Sequence, residues 1–505
     1  MSLKPNSNIE NILIVGGGTA GWMTAAAMAR LLPQNRVNIT LVESDTIGTV
    51  GVGEATIPNI SHFNELLGYS EDDFVRETNA TFKLGIEFSN WGHLGERYFH
   101  PFGEYGVAMD GVRFHHHWLR HRAHGGNTSV DDYNLQVMAA YAGKFQRPQP
   151  IRNSPLSRIT YAFHFDAALY AKFMRNYAEG RGVTRVEGRV TDVAQDGGSG
   201  FVTSVKLESG QTLDADLFID CSGFRGLLVE GALEAGYDDW SDLLPCNSAV
   251  AQACEKVAEP IPFTKATARD AGWQWRIPLQ SRTGNGHVFC DGFTTKEDAL
   301  ETLHGNLDGK PIGEPKHLRF TTGIRREPWK KNVVAIGLAA GFLEPLESTS
   351  IHLIQTAIAR LIKLFPNKDF AQSNIDFFND ETRLEYEQVR DFLVLHYCVT
   401  RRTDTDFWNH VRTMTLPDTL QERMDNYRDT ARVYRVGKEI FDERSWFAVM
   451  NGQGVEPTAY HPMADIVPRT EMESRLSEIR STWQTCLSRM PAHQQFIDQN
   501  CRAAV

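Results

Sequence analysis

NILIVGGGTAGWMTAAAMARLL, from Asn11 to Leu32, followed by NITLVE, from Asn38 to Glu43, decides the fold. Asn11 to Gly17 is an apolar, β-branched run that stops at glycines. Thr19 to Leu32 has alanine-rich helical character, and Asn38 to Glu43 returns as a second strand. Strand, helix and strand within roughly 30 residues make a βαβ unit, which predicts a parallel sheet. Gly16, Gly18 and Gly21 stand at G-x-G-x-x-G spacing between strand and helix. Gly16 permits a tight turn, Gly18 lets backbone approach a pyrophosphate, and Gly21 lets helix and strand pack. The helix start at Thr19 and Ala20 offers N–H donors and a partial positive charge. Glu43, closing the second strand, can accept hydrogen bonds from a ribose. The unit therefore predicts dinucleotide binding.

Outward from this unit, RVEGRVTDV, FVTSVKL and TLDADLFID lie between Arg185 and Asp220, with a glycine-rich turn from Gly197 to Gly200. Their alternation predicts short antiparallel strands. Val333 to Gly337 reads as another buried strand, and from Ile351 onward the apolar spacing turns helical. The expected organisation is an α/β body over 1–365, contributing part of a substrate pocket near 91–125, and a helical substrate module over 366–505. The chain carries 52 basic and 63 acidic residues and a net charge of -11. That sign repels phosphate backbones and anionic headgroups, so neither nucleic acid nor a membrane is an expected partner. The longest nearly apolar run, Val333 to Leu343, is well short of the roughly 20 residues needed to span a bilayer. The 7 cysteines form no CxxC pair and are odd in number. With a polar Met1 to Glu10 segment they point to a reducing cytoplasm rather than secretion. In RFHHHWLRHRAH, Arg113 to His124, a helix would place His117, His121 and His124 on one face. No carboxylate or cysteine joins them and Arg120 and Arg122 repel a cation, so a solvated or pocket-rim helix is expected and no metal.

Further motifs stand along the chain: GVGEATIP (Gly51 to Pro58), TFKLGIEFSNW (Thr81 to Trp91), IDCSGFRG (Ile219 to Gly226), WQWRIP (Trp273 to Pro278) and AIGLAAGFLEPLESTSI (Ala335 to Ile351). With GGGTAGW (Gly16 to Trp22) they resemble the flavin-dependent halogenases of the tryptophan-halogenase-like family, from Ile12 to about Trp446. WxWxIP is the signature that separates that family from related flavin monooxygenases. The resemblance implies a Rossmann-like, flavin-monooxygenase-like FAD domain with antiparallel β elements and a mainly helical C-terminal substrate module. In such enzymes reduced FAD reacts with oxygen, the flavin hydroperoxide oxidises chloride or bromide to hypohalous acid, and this travels to an aromatic substrate. One nucleotide fingerprint in the chain implies that a separate NAD(P)H-dependent flavin reductase supplies the FADH2. A homodimer is compatible with the resemblance.

By position, Lys83 is similar to the lysine that activates the halogen and Glu347 to the acid beside it. A protonated Lys83 hydrogen-bonded to hypohalous acid is expected, because Glu347 opposes the loss of its charge. Ala55, Val190, Leu338 and Ile351 would touch FAD, and the backbone of Thr349 and Ser350 would hold the halide. Ser350 stands where relatives usually have glycine. Trp273 and Trp275 would keep substrate away from the flavin. His100, Phe102 and Trp446 would sandwich a planar ring. Enzymes acting on free tryptophan add a tyrosine pair and a glutamate before that tryptophan. Here Tyr434 is followed by Arg435, and Phe441 stands where an acid would. An indole without a charged group is the expected substrate, ahead of free tryptophan. The alternatives are a hydroxylating flavin monooxygenase and a non-catalytic dinucleotide-binding protein.

Overall fold

The computed structural model describes residues 7–46 and 53–504; Gly51 and Val52 of GVGEATIP and Met1 to Asn6 of the N-terminal segment lie outside the described residues. The parallel sheet forms around the strand Asn11–Val15. Its six strands run in the order Trp329–Lys330, Val333–Ala335, Leu217–Asp220, Asn11–Val15, Asn38–Glu43, Thr184–Glu187. All neighbours are parallel except the first pair. The strands Val333–Ala335 and Leu217–Asp220 are buried on both faces, which is why they read as continuous apolar runs. The helix Thr19–Leu31 packs against this sheet, the helix Ala167–Glu179 and the helix Ser350–Lys363. Gly21 through Ala29 are all buried. Small side chains are what let three neighbours approach it so closely.

The segment from Arg185 to Asp220 differs from its sequence reading. Only Val190–Gln195, Val202–Leu207 and Thr212–Asp214 form an antiparallel meander. Thr184–Glu187 and Leu217–Asp220 join the parallel sheet instead. Both have partners distant in sequence, which local alternation does not encode.

A seven-stranded sheet runs Pro311–Arg319, Ser248–Glu255, Arg282–Phe289, Gly272–Pro278, Thr264–Arg269, Gly85–Ser89, Arg97–Pro101. It is antiparallel except between Thr264–Arg269 and Gly85–Ser89. Trp273 and Trp275 share one face of it by the two-residue period of a strand. Opposite Trp275 stands Gly286, where a Cβ would lie 2.0 Å from the indole. A three-stranded sheet of Gly53–Ala55, Ala162–Asp166 and Thr81–Lys83 brings Thr56 beside Lys83. The C-terminal part is helical, as expected. Its longest helix, Gln372–Cys398, buries Asp391 through Tyr397 without a break. A helical stretch apolar on nearly all sides runs through a core, and this one carries Phe392, His396 and Tyr397 inward. No described helix is long and apolar enough to cross a membrane.

Candidate active site

A cavity of about 1240 Å³ runs from the glycine turn at Val15–Ala20 past Glu43 and Val190 to Ala55, Trp273, Trp275 and the segment from Gly337 to Ile354. Gly16 has a φ of +110°, and a Cβ on it would lie 2.3 Å from the Cys221 carbonyl oxygen, so only glycine makes this turn. A Cβ on Gly18 would meet nothing within 4 Å, which leaves the space before the helix open to a ligand. Ala20, Leu338, Ser350 and Ile351 line the same cavity, whereas Thr349 is buried behind it. The cavity is long, with peptide N–H groups at one end and indole and aliphatic walls at the other, and its residues fit a flavin dinucleotide. Glu43 is less free than its position at the strand end suggests: Arg185 Nε donates to its Oε1 at 2.6 Å and Trp22 Nε1 to its Oε2 at 3.4 Å. Lone pairs remain on both oxygens for a ribose. The helix Ser350–Lys363 starts on the cavity wall, so its N-terminal dipole and opening N–H groups face the space where an anion would sit.

Behind this wall lies Lys83, 0% exposed. Its Nζ donates to the Thr56 carbonyl oxygen at 2.9 Å and to Ser348 Oγ at 2.7 Å. Ser348 lines the cavity and adopts the left-handed region with φ 60°, a conformation costly outside glycine and frequent at functional sites. One serine thus separates the lysine from the cavity. Burial lowers Lys83 from 10.5 to about 7, and Glu347 opposes this only in part. The protonated lysine expected from the sequence is one of the two forms this environment allows. Desolvation outweighs the carboxylate, and ammonium and amine are near balance at neutral pH.

Glu347 does not hydrogen-bond to Lys83. His100 Nδ1 lies 2.8 and 3.0 Å from its two oxygens, and His396 Nε2 lies 2.8 Å from Oε1. Tyr98 Oη is 2.8 Å from His396 Nδ1, and Gln453 Nε2 donates to both Tyr98 Oη and the His396 carbonyl. Burial would raise the carboxyl, but the two imidazoles hold it down at about 2. Glu347 is therefore a fixed carboxylate. His396, Tyr98 and Gln453 were not found in the sequence, since nothing in their local pattern distinguishes them from core residues.

Phe102 lies under Lys83, with Nζ 5.2 Å from its ring centroid. His100 and Trp446 are both buried and are linked through two other rings. Phe392 lies 5.6 Å from His100 and 5.2 Å from Trp446, and stacks on Phe441 at 3.9 Å. Phe441, read from sequence as a missing acid, thus forms part of the aromatic cluster. The Glu439 carboxylate is buried and paired with Arg423, whose guanidinium lies 4.9 Å over Trp446, and Arg435 donates to the Glu439 carbonyl. Tyr434 is exposed. No unpaired acid among these described residues faces the aromatic cluster.

The histidine-rich helix, Phe114–Ala123, is not solvated along its first half: His115, His116 and His117 are buried, and burial lowers His115 to about 4 and His116 to about 2. His115, His116 and Glu443 bring ligand atoms within 4.8 Å of one another. Each already has a protein partner. His115 Nε2 meets the Ala431 carbonyl, His116 Nδ1 accepts the His461 N–H, and Glu443 pairs with Arg113. The trio ties this helix to the helix Glu443–Gly452 that carries Trp446.

Residues 11–469 match the family of tryptophan halogenases. A tryptophan 6-halogenase from Streptomyces albogriseolus is 35% identical, covering 98% of this chain and 99% of its own. Among solved structures, a flavin-dependent halogenase from Xanthomonas campestris superposes with a TM-score of 0.95 at 44% identity, covering 99% of each chain. A second, from Brevundimonas sp. BAL3, gives 0.94 at 44% identity, over 98% of this chain and 99% of that one.

Proposed function

The chain belongs to the flavin-dependent tryptophan-halogenase family, and from this premise we propose that it halogenates an electron-rich aromatic ring, a neutral indole, through Lys83 and Glu347. The overall balance is ArH + X⁻ + FADH2 + O2 + H⁺ → ArX + FAD + 2 H2O. Bound reduced FAD supplies the oxygen chemistry that converts halide to hypohalous acid.

The protein's own residues do the rest. The turn at Gly16–Gly21 and the helix start at Thr19 hold a pyrophosphate, while Ala55, Val190, Leu338 and Ile351 bound the dinucleotide. The opening N–H groups at Thr349 and Ser350 hold the halide. Trp273 and Trp275 wall the cavity and deny a planar substrate direct approach. Lys83 receives hypohalous acid on the far side of Ser348. As an ammonium it donates a hydrogen bond to the oxygen, which makes the halogen more electrophilic and prepares water as the leaving group. Glu347, fixed by His100 and His396, stabilises positive charge as the ring adds halogen. It then takes the ring proton, since an arenium ion is a far stronger acid than a carboxylic acid, and His100 shares that proton on its way out.

His100, Phe102 and Trp446 border the ring. Opening this cluster means moving Phe441 off Phe392, because those two rings fill the space between His100 and Trp446. With Glu439 paired to Arg423, an amino-acid ammonium finds no partner there, and an unmatched charge in a buried site costs several kcal/mol. A neutral indole avoids that cost. Electrons come from a separate NAD(P)H-dependent flavin reductase.

The observation that carries this reading is a fully buried lysine held 2.7 Å from a serine on the cavity wall, with a carboxylate pinned by two imidazoles one residue before that serine. Mass spectrometry tests it. With reduced FAD, oxygen, bromide and indole the product should carry bromine's isotope doublet. A hydroxylated product would assign a monooxygenase, and unchanged indole would overturn catalysis.

A further inference from the structure

The turn Phe342–Ser348 carries two buried carboxyl groups, and only Glu347 has a role in the reaction above. Glu344 is 0% exposed. Its Oε2 accepts from Trp273 Nε1 at 2.8 Å and from Tyr397 Oη at 2.6 Å, while Oε1 is buried with no hydrogen-bond partner. The two cavity-wall tryptophans are thereby unequal. Trp275 Nε1 is buried without a partner, so packing alone orients that ring. An indole has a single donor, and Trp273 spends it on Glu344.

We propose that Glu344 is the positioning residue of the flavin-facing wall: with Tyr397 it fixes the indole of Trp273 in one orientation and so keeps that wall closed to substrate. This rests on the reading of Trp273 as a shield. Without the bond, the ring could turn about its side-chain torsions between Trp91, 6.5 Å away, and Trp275 on the wall, 6.1 Å away.

The bonding pattern fits a neutral acid. In the protonated form Oε2 accepts twice as a carbonyl oxygen does and Oε1 carries the proton, whereas a carboxylate would leave charge on a bare atom. Burial raises Glu344 to about 7 accordingly. The titratable groups facing it are Tyr397, Cys246 and Cys290, all pushed upward by burial and uncharged at neutral pH. The two carboxyl groups of this turn are thus driven in opposite directions. Two imidazoles keep Glu347 ionised, and burial pushes Glu344 toward the acid. Tyr397 and His396 are adjacent on the helix Gln372–Cys398, so one helix holds both carboxyl groups.

The test begins with the protein free of flavin and labelled with ¹⁵N-tryptophan. The chain has 10 tryptophans, and Trp273→Phe identifies the indole N–H signal of that ring. In wild type the signal should titrate with a midpoint near pH 7 and exchange slowly with solvent. Glu344→Gln, which keeps an acceptor oxygen, should hold the signal near its wild-type position and abolish the titration. Glu344→Ala should displace it and speed exchange at least tenfold. In turnover with a flavin reductase, Glu344→Ala should lower halogenated product per oxygen consumed at least threefold, with hydrogen peroxide rising, and Glu344→Gln should restore the ratio. A Trp273 signal unmoved in Glu344→Ala, or one that still titrates near pH 7 in Glu344→Gln, would overturn the proposal, as would a displaced signal with unchanged coupling. Should the alanine variant fail to fold, the titration in the glutamine variant decides. If Trp273→Phe itself leaves coupling unchanged, the shield reading fails separately from the anchoring of the ring by Glu344.

Discussion

Lys83→Met removes the charge at the centre of the site while keeping most of the side chain's bulk. Burial brings the lysine from 10.5 down to about 7, whereas in an unfolded chain it titrates near ~10.4. Between those values the unfolded state holds a proton that the folded state lacks. Stability therefore rises with pH through that window, by about 1.4 kcal/mol per pH unit. Below pH 7 both states are protonated and the folded protein carries the whole cost of a buried ammonium. The gap of about 3.5 pH units corresponds to roughly 5 kcal/mol. Methionine escapes that cost but gives up the bonds to Thr56 O and Ser348 Oγ, about 1 to 3 kcal/mol each with a charged donor. At pH 6 the variant should thus match or exceed wild type in stability. By pH 9 its relative stability should have fallen by on the order of 3 kcal/mol, as wild type sheds the buried charge. Urea unfolding of both proteins at four pH values from 6 to 9 reads the difference, in which groups common to both cancel. A difference that stays flat, or that moves in favour of methionine as pH rises, would refute the desolvated lysine.

The same variant should lose halogenation while still binding FAD, measured by flavin fluorescence, since the lysine sits outside the dinucleotide cavity. Purified protein with NADH alone should be inactive and should gain activity on addition of a flavin reductase, followed by product mass. With indole and L-tryptophan competing in one vessel, haloindole should dominate, because Glu439 and Arg435 are engaged with protein groups and offer no clamp for an amino-acid end. His396→Leu removes one of the two imidazoles that hold Glu347 at about 2. The acid limb of the pH–kcat profile should therefore move to higher pH, and kcat should fall tenfold or more.

The pattern around Gly16, Gly18 and Gly21 was legible because its causes are local. A turn that only glycine can make, an apolar strand before it and a helix after it each leave their mark within a few residues. Trp273 and Trp275 were named through the resemblance carried by WxWxIP, and the strand Gly272–Pro278 then puts both on one face. The strands Thr184–Glu187 and Leu217–Asp220 were misread, as their alternation is compatible with either pairing and the choice belongs to partners elsewhere in the chain. The burial of His115 to His117 could not be read from a helix expected to be solvated or at a pocket rim, because composition does not say which face of a helix its neighbours will cover.

The site divides along the same line. A lysine and a glutamate in the right motifs could be named from sequence, but their protonation could not. Desolvation is a sum over everything packed around a group, and the contacts that hold Glu347 come from His100, 247 residues away, and from His396 on another helix. Glu344 and Tyr397 had no sequence signal at all. Sequence by itself determined the dinucleotide unit and the chemistry available. Only the tertiary structure decided which carboxyl group is held toward ionisation and which is driven toward the acid, which tryptophan is tethered and in which direction the lysine is driven, because those properties belong to the packed interior and to no single segment of the chain.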